Sequence, residues 1–224
     1  MKNSERIYNN LINMWEKYND HPFVQGMADG TLPKEKFKFF MTQDHLYLCQ
    51  YAKVFAMGVL KAKNEDDMRL FASLITATLD VENALHKSYL AQLGMTNEEL
   101  AAATPSIVTD SYTNYMISVA QKEGLPEIMA AVLACSWTYK LIGDYMETYP
   151  GAKEQPFYGP WVRQYMGDVY RSANDLMIDM FDRMTEGYTD EQMDNIEHII
   201  YACSQYEYMF WDMAWNMKMV EVEK

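Results

Sequence analysis

Three stretches of this chain space their apolar residues as one face of a helix, and each is interrupted by a single reactive side chain. From Ile196 the stripe steps through Ile200, Cys203, Glu207, Phe210, Ala214 and Met217. A second runs from Phe37 through Phe40, Asp44, Tyr47, Tyr51 and Phe55, and a third from Ile128 through Val132, Cys135, Tyr139 and Ile142. The spacing therefore predicts two carboxylates and one thiol pointing into apolar surroundings. Burying a carboxylate costs on the order of a domain's whole stability margin unless it is paired or takes up a proton. Desolvation favours the protonated form, so Glu207 is expected to act as an acid near neutral pH. A thiolate from Cys135 would add to electron-poor unsaturated carbon, given a proton acceptor nearby and an acid for the ring or leaving group. Asp44 would accept hydrogen bonds from an amino group, as buried polar groups that orient ligands do.

Each residue also has a structural reading. A buried cysteine is commonly inert packing, which suits Cys49 and Cys203; Cys135 differs in having Ser136 beside it and Tyr139 one turn on. Glu207 could be a structural acid paired with a tyrosine hydroxyl, with Tyr206 adjacent, and Asp44 could pair with its neighbour His45. Tyr112, Tyr139 and Tyr165 fit helical apolar faces, where core packing is the default; around an acid and a thiol they would instead clamp a flat polar ring. Glu82 and His86 lie four apart on a face with Ile75, Leu79, Tyr89 and Leu93, which predicts a buried hydrogen-bonded pair supporting the site. A di-iron bundle requires Glu-x-x-His on two helices, a spacing this chain never has, so no metal site is expected. A haem needs only one axial histidine, and His45 or His86 keeps an oxidase open as a rival class.

The 224 residues, 49% hydrophobic and 14% aromatic, suffice for one large domain with a real core, and no stretch reads as an interdomain linker. A single domain over 1–224 is expected, with disorder confined to Glu221 to Lys224. A net charge of −13 argues against nucleic acid and anionic membrane surfaces and mildly favours a cationic ligand. Cys49, Cys135 and Cys203 show no metal-ligand spacing, and their odd number suggests a reduced, cytoplasmic protein. The N-terminal segment carries charges throughout, unlike a signal peptide, and the longest apolar run, from Ile128 to Cys135, is too short to span a bilayer.

The punctuation predicts an all-α chain of about seven long helices. A first helix over about 4–19 stops at His21-Pro22, and a short segment leads through Asp29-Gly30 to Thr31, read as the N-cap of a helix reaching about residue 62. Asn64 opens a third that lasts to Gly94, and Thr96 with Glu99 forms a capping box for a short fourth closed by Pro105. Helices over about 109–122 and 126–149 follow. An aromatic turn from Pro156 to Pro160 leads into a helix lasting to Met184, and Thr189 with Gln192 caps the last. Met-rich runs such as MFWDMAWNMKM suit plastic packing or a subunit interface.

The segments HPFVQGMADGTLPKEKFKFFMTQDHLYL, ENALHKSY, SYTNYM, MAAVLACSWTYKLIG and YEYMFWDMAW, in this order, resemble the TenA family: thiaminase II or aminopyrimidine aminohydrolase, of haem-oxygenase-like helical fold. The resemblance covers nearly the whole chain, and Cys135 puts it with the cysteine-bearing branch. It implies that Cys135 is the nucleophile and Glu207 the proton donor. By the same resemblance Asp44 holds the amino group and ring nitrogen of a pyrimidine, Tyr139 and Tyr165 contact it, and Tyr47 and Tyr112 line the site and tune the thiol. The implied substrates are 4-amino-5-aminomethyl-2-methylpyrimidine and thiamin, both hydrolysed to the hydroxymethylpyrimidine in thiamin salvage. No metal or organic cofactor is implied, and a homotetramer is. A non-catalytic thiamin or pyrimidine binder stands as the other alternative, since family scaffolds also host regulatory roles.

Overall fold

The structure, a computed structural model, describes residues 2–220. The disorder expected for Glu221 to Lys224 lies outside the described residues. Among these the secondary structure is entirely helical. Eleven α-helices follow one another: α1 Asn3–Trp15, α2 Pro22–Asp29, α3 Lys34–Lys61, α4 Glu65–Thr76, α5 Asn83–Gln92, α6 Asn97–Ala102, α7 Ile107–Lys122, α8 Leu125–Thr148, α9 Gly159–Tyr165, α10 Asp168–Met184 and α11 Asp190–Asn216. The chain divides into two compact units. Among the described residues, one contains 2–32 and 129–208, the other 33–128 and 209–220. Two of the three crossings fall inside α8 and α11, which is why no linker composition marks them.

Local chemistry sets most boundaries. The Thr96–Glu99 capping box forms reciprocally at 3.1 and 2.8 Å, and the Asn64 side chain accepts from the Asp67 N–H at 2.9 Å to start α4. Three expectations are corrected. The first helix ends at Trp15 and passes into a 3₁₀ turn over Glu16–Asp20, and the segment after it is itself helical: α2 starts on Pro22 with the His21 imidazole capping the Phe23 N–H. Thr31 is not the N-cap of α3. Its N–H and hydroxyl both bond to Asp29 in an Asx turn, and Pro33 caps instead. The helix predicted to reach Met184 breaks at Gly167, whose extended backbone caps a new helix, α10.

In the unit of α3, that 28-residue helix is the core element, with Phe37, Phe40, Tyr47, Tyr51 and Phe55 buried. Phe37 meets Tyr89 of α5 edge-on at 5.1 Å, Tyr47 meets Tyr112 of α7 at 5.1 Å, and Phe40 stacks on Trp211 of α11 at 5.0 Å. Gln43 pins α3 to the start of α7. Its carbonyl oxygen accepts from the Ser106 N–H and the Thr109 hydroxyl, both at 2.8 Å, while its amide donates to the Thr104 carbonyl at 3.1 Å.

In the other unit, α1 lies against α8, α10 and α11. Trp15 and Tyr8 meet Trp137 at 5.2 and 5.9 Å, Ser4 bonds to Asp182 through its N–H and hydroxyl, and Arg6 pairs with Asp190 and Asp194. By length and composition α8 could cross a membrane, but 72% of its most apolar window is buried inside the protein. It is a core helix.

Replacing Gln43 with leucine leaves the buried Ser106 N–H and Thr109 hydroxyl without the oxygen that accepts from them. The expected loss is about 2–4 kcal/mol of unfolding free energy, measured by urea titration, with helix content retained in the folded baseline.

Candidate active site

The inward-facing pattern on α3 is realised, and Asp44, Tyr47 and, from α7, Tyr112 are all buried. The three tyrosine rings Tyr112, Tyr47 and Tyr51 follow one another at 5.1 and 5.3 Å, a wall of aromatic faces beside the turn that carries Asp44. Opposite Asp44 stands α5, which presents His86, and the Nδ1 of this imidazole lies 3.5 Å from Asp44 Oδ2. The pairing of Asp44 with His45 gives way to a different one: His45 Nδ1 lies 2.6 Å from Asn83 Oδ1, and the Asn83 amide points on to Cys49 Sγ at 3.8 Å.

His86 and Glu82 do not form the expected hydrogen-bonded pair. His86 is fully buried and neither ring nitrogen makes a hydrogen bond within the protein, whereas Glu82 is only partly buried and Leu79 is 39% exposed. The cause is a π-helical turn over Ala77–Glu82, which breaks the predicted 64–94 helix. A wider turn adds a residue to the helical period, so the face predicted from Ile75 and Leu79 is not the one that α5 buries. Asn83, His86 and Tyr89 point inward instead. Burial lowers the His86 pKa from its ordinary 6.5 to about 3, with His45 adding a smaller effect in the same direction, so the ring is neutral at physiological pH.

In the unit of α8, Cys135 is buried at 9% exposure. The Thr138 hydroxyl donates to its carbonyl at 3.1 Å, and the neighbouring Ser136 hydroxyl donates to Asn174 of α10 at 2.9 Å. One turn on, Tyr139 packs at 5.0 Å from Tyr165 and 6.1 Å from Trp161, and Trp161 and Tyr165 meet at 4.3 Å. Gly143 makes this possible. A Cβ there would stand 2.5 Å from the Tyr165 carbonyl oxygen and 2.7 Å from its carbon, so only glycine lets the end of α9 close on α8. That close approach sets the Tyr165 ring against Tyr139, and no periodicity in the sequence points to it.

Glu207, 3% exposed on α11, has surroundings the sequence reading named only in part. Tyr206 is half-buried, while the fully buried Tyr18, which no pattern singled out, feels the Glu207 carboxylate. Burial first and this carboxylate second hold the Tyr18 hydroxyl well above its ordinary pKa, and the hydroxyl donates to the Ser204 carbonyl. The same two causes push the Cys203 thiol far above its usual range, so Cys203 stays a thiol. Among the described residues no group of three His, Cys, Asp or Glu side chains could hold a metal ion. A surface cleft of about 300 Å³ lined by Asp194, Glu197, His198 and Tyr201 contains none of the site residues.

The TENA/THI-4/PQQC family model matches residues 8–217. An aminopyrimidine aminohydrolase of Halalkalibacterium halodurans is 43% identical, the match covering 95% of this chain and 95% of that protein. A protein of the same name from Helicobacter pylori is 38% identical over 96% of this chain and all of that one. Among solved structures, a TenA homologue from P. horikoshii superposes with a TM-score of 0.87 at 27% identity, covering 96% of this chain and 99% of the other.

Two outcomes follow. Gly143→Ala forces the Tyr165 backbone away from α8; the change is expected to lower the melting temperature and shift the near-ultraviolet signal of the Tyr139–Trp161–Tyr165 cluster, read by circular dichroism. His86 titrates near 6.5 when unfolded but near 3 when folded, so the unfolded chain binds a proton that the folded one refuses. Its contribution to stability is complete above pH 6.5 and is lost as pH falls from there toward 3, at up to about 1.4 kcal/mol per pH unit. Unfolding titrations across this range should show that slope in the wild type and not in His86→Leu.

Proposed function

The chain belongs to the TENA/THI-4/PQQC family, and on that premise we propose that it hydrolyses 4-amino-5-aminomethyl-2-methylpyrimidine to the hydroxymethylpyrimidine and ammonia, and cleaves thiamin to the same pyrimidine and the thiazole alcohol. The single observation that carries this reading is 43% identity across 95% of both chains with a protein named aminopyrimidine aminohydrolase. The chain is an enzyme, a hydrolase of this kind acting in thiamin salvage.

The chemistry assigns each step to a residue. Cys135 Sγ adds as thiolate to the pyrimidine ring while Glu207 protonates a ring nitrogen, which leaves an electron-rich ring able to expel the exocyclic amine. Water adds at the methylene carbon so exposed, the proton returns, and the thiolate departs as the ring regains aromaticity. Asp44 accepts a hydrogen bond from the 4-amino group and lies beside the neighbouring ring nitrogen, Tyr139 and Tyr165 lie against the substrate, and Tyr47 and Tyr112 line its site. Support comes from the residues' own surroundings. Cys135 sits one turn from a three-ring aromatic cluster, whereas Cys203 is held as an inert thiol. The buried Glu207 is kept from bulk water, as a proton donor to a ring must be.

The reading extends to a cytoplasmic homotetramer. Three free cysteines fit a reducing compartment, and the exposed Ile107, Met209, Met217 and Val220 offer apolar area for subunit contact.

Purified protein incubated with the aminomethylpyrimidine, and separately with thiamin, is expected to release hydroxymethylpyrimidine, followed by chromatography. Cys135→Ser should abolish product while keeping wild-type helix content, and Glu207→Gln should slow turnover by about 10²-fold to 10⁴-fold. Product formed at an unchanged rate by Cys135→Ser would sink the nucleophile assignment.

A further inference from the structure

The proposed reaction gives no task to His86, yet this is the most completely buried titratable side chain near Asp44. Its exposure is zero, both ring nitrogens lack a hydrogen-bonding partner in the protein, and Nδ1 faces Asp44 Oδ2 at 3.5 Å. Buried polar groups left in that condition are rare, because each has surrendered its water for nothing. The neighbouring polar groups are already committed. The Asn83 amide nitrogen is directed at Cys49 Sγ, so its carbonyl oxygen faces His45 and His45 Nδ1 carries the proton between them. That chain of bonds runs away from Asp44, and His86 Nδ1 is the imidazole nitrogen that approaches the carboxylate, at 3.5 Å.

Nor is the placement an accident of an ordinary helix. The π turn over Ala77–Glu82 sets the register in which Asn83 and His86, three apart, both face α3. Such turns cost regular hydrogen bonding and recur at functional sites. We propose that His86 is the positioning residue for Asp44, donating its Nδ1–H to Oδ2 and thereby orienting the carboxylate that receives the aminopyrimidine. At 3.5 Å the contact has room to shorten when the aminopyrimidine binds. A neutral donor suits the role, because a charged imidazolium would neutralise the carboxylate it serves. The inference rests on the reading of Asp44 given under Proposed function.

The test compares His86→Leu, which removes the donor, with His86→Asn, whose amide nitrogen can occupy the place of Nδ1–H. Steady-state kinetics with the aminomethylpyrimidine are combined with calorimetric titration of hydroxymethylpyrimidine, so that binding is read apart from turnover. His86→Leu is expected to raise both KM and the product Kd by about tenfold or more while kcat changes by less than about threefold. His86→Asn should restore both to within about threefold of wild type. An unchanged KM and Kd in His86→Leu overturns the proposal. So does equal loss in both variants accompanied by a fall in melting temperature, which would assign His86 to packing. Wild-type protein that binds the product without turnover refutes the hydrolase reading alone, and the two variants still decide the role of His86 by their Kd. Wild-type protein that neither binds nor turns over removes the reading and the inference together.

Discussion

A charged or hydrogen-bonding group withdrawn from water must find its answer inside the protein, and Asp44 on α3 is where this demand shapes the most structure. The carboxylate occupies a position that the helical period would give to an apolar residue. What faces it is a histidine whose own burial keeps it neutral. Bringing that histidine to α3 requires the register shift of the π turn, and keeping His45 out of the way requires Asn83. Gln43, one residue before Asp44, meets the same demand by tying α3 to the start of α7, and so holds Tyr47 against Tyr112. One helix thus carries an acid, two of the three rings beside it and the glutamine that ties it to the third ring's helix.

Around Cys135 the governing constraint is close packing. The aromatic cluster on α8 and α9 depends on a backbone approach that a single methyl group would block at Gly143. Near Glu207 the main effect is burial: it holds Tyr18 and Cys203 in their protonated forms, with the Glu207 carboxylate adding to it.

These features suit a hydrolase that works on a flat, amine-bearing ring. The ring needs stacking faces, a carboxylate for its amino group, a thiolate for its electron-poor carbon and a proton for its nitrogen. Kinship with aminopyrimidine aminohydrolases over nearly the full chain supplies the class of reaction.

How much of this could be read from sequence differs from residue to residue. The all-α class, the burial of Asp44, Cys135 and Glu207, and the Thr96 and Asn64 caps were all legible, because helical period and capping are properties of neighbours within four residues. The partners of those buried groups were not. His86 in place of His45 beside Asp44, Tyr18 beside Glu207 and Gly143 beneath Tyr165 each join residues 22 or more positions apart. The Glu82–His86 pair failed for a related reason: a π turn leaves the residue types unchanged while altering the period by which they are read. Sequence by itself determined which side chains must leave water, since that follows from local spacing. Only the tertiary structure decided what each one meets there, since meeting depends on helix register and on backbone approach, and neither is written in local spacing.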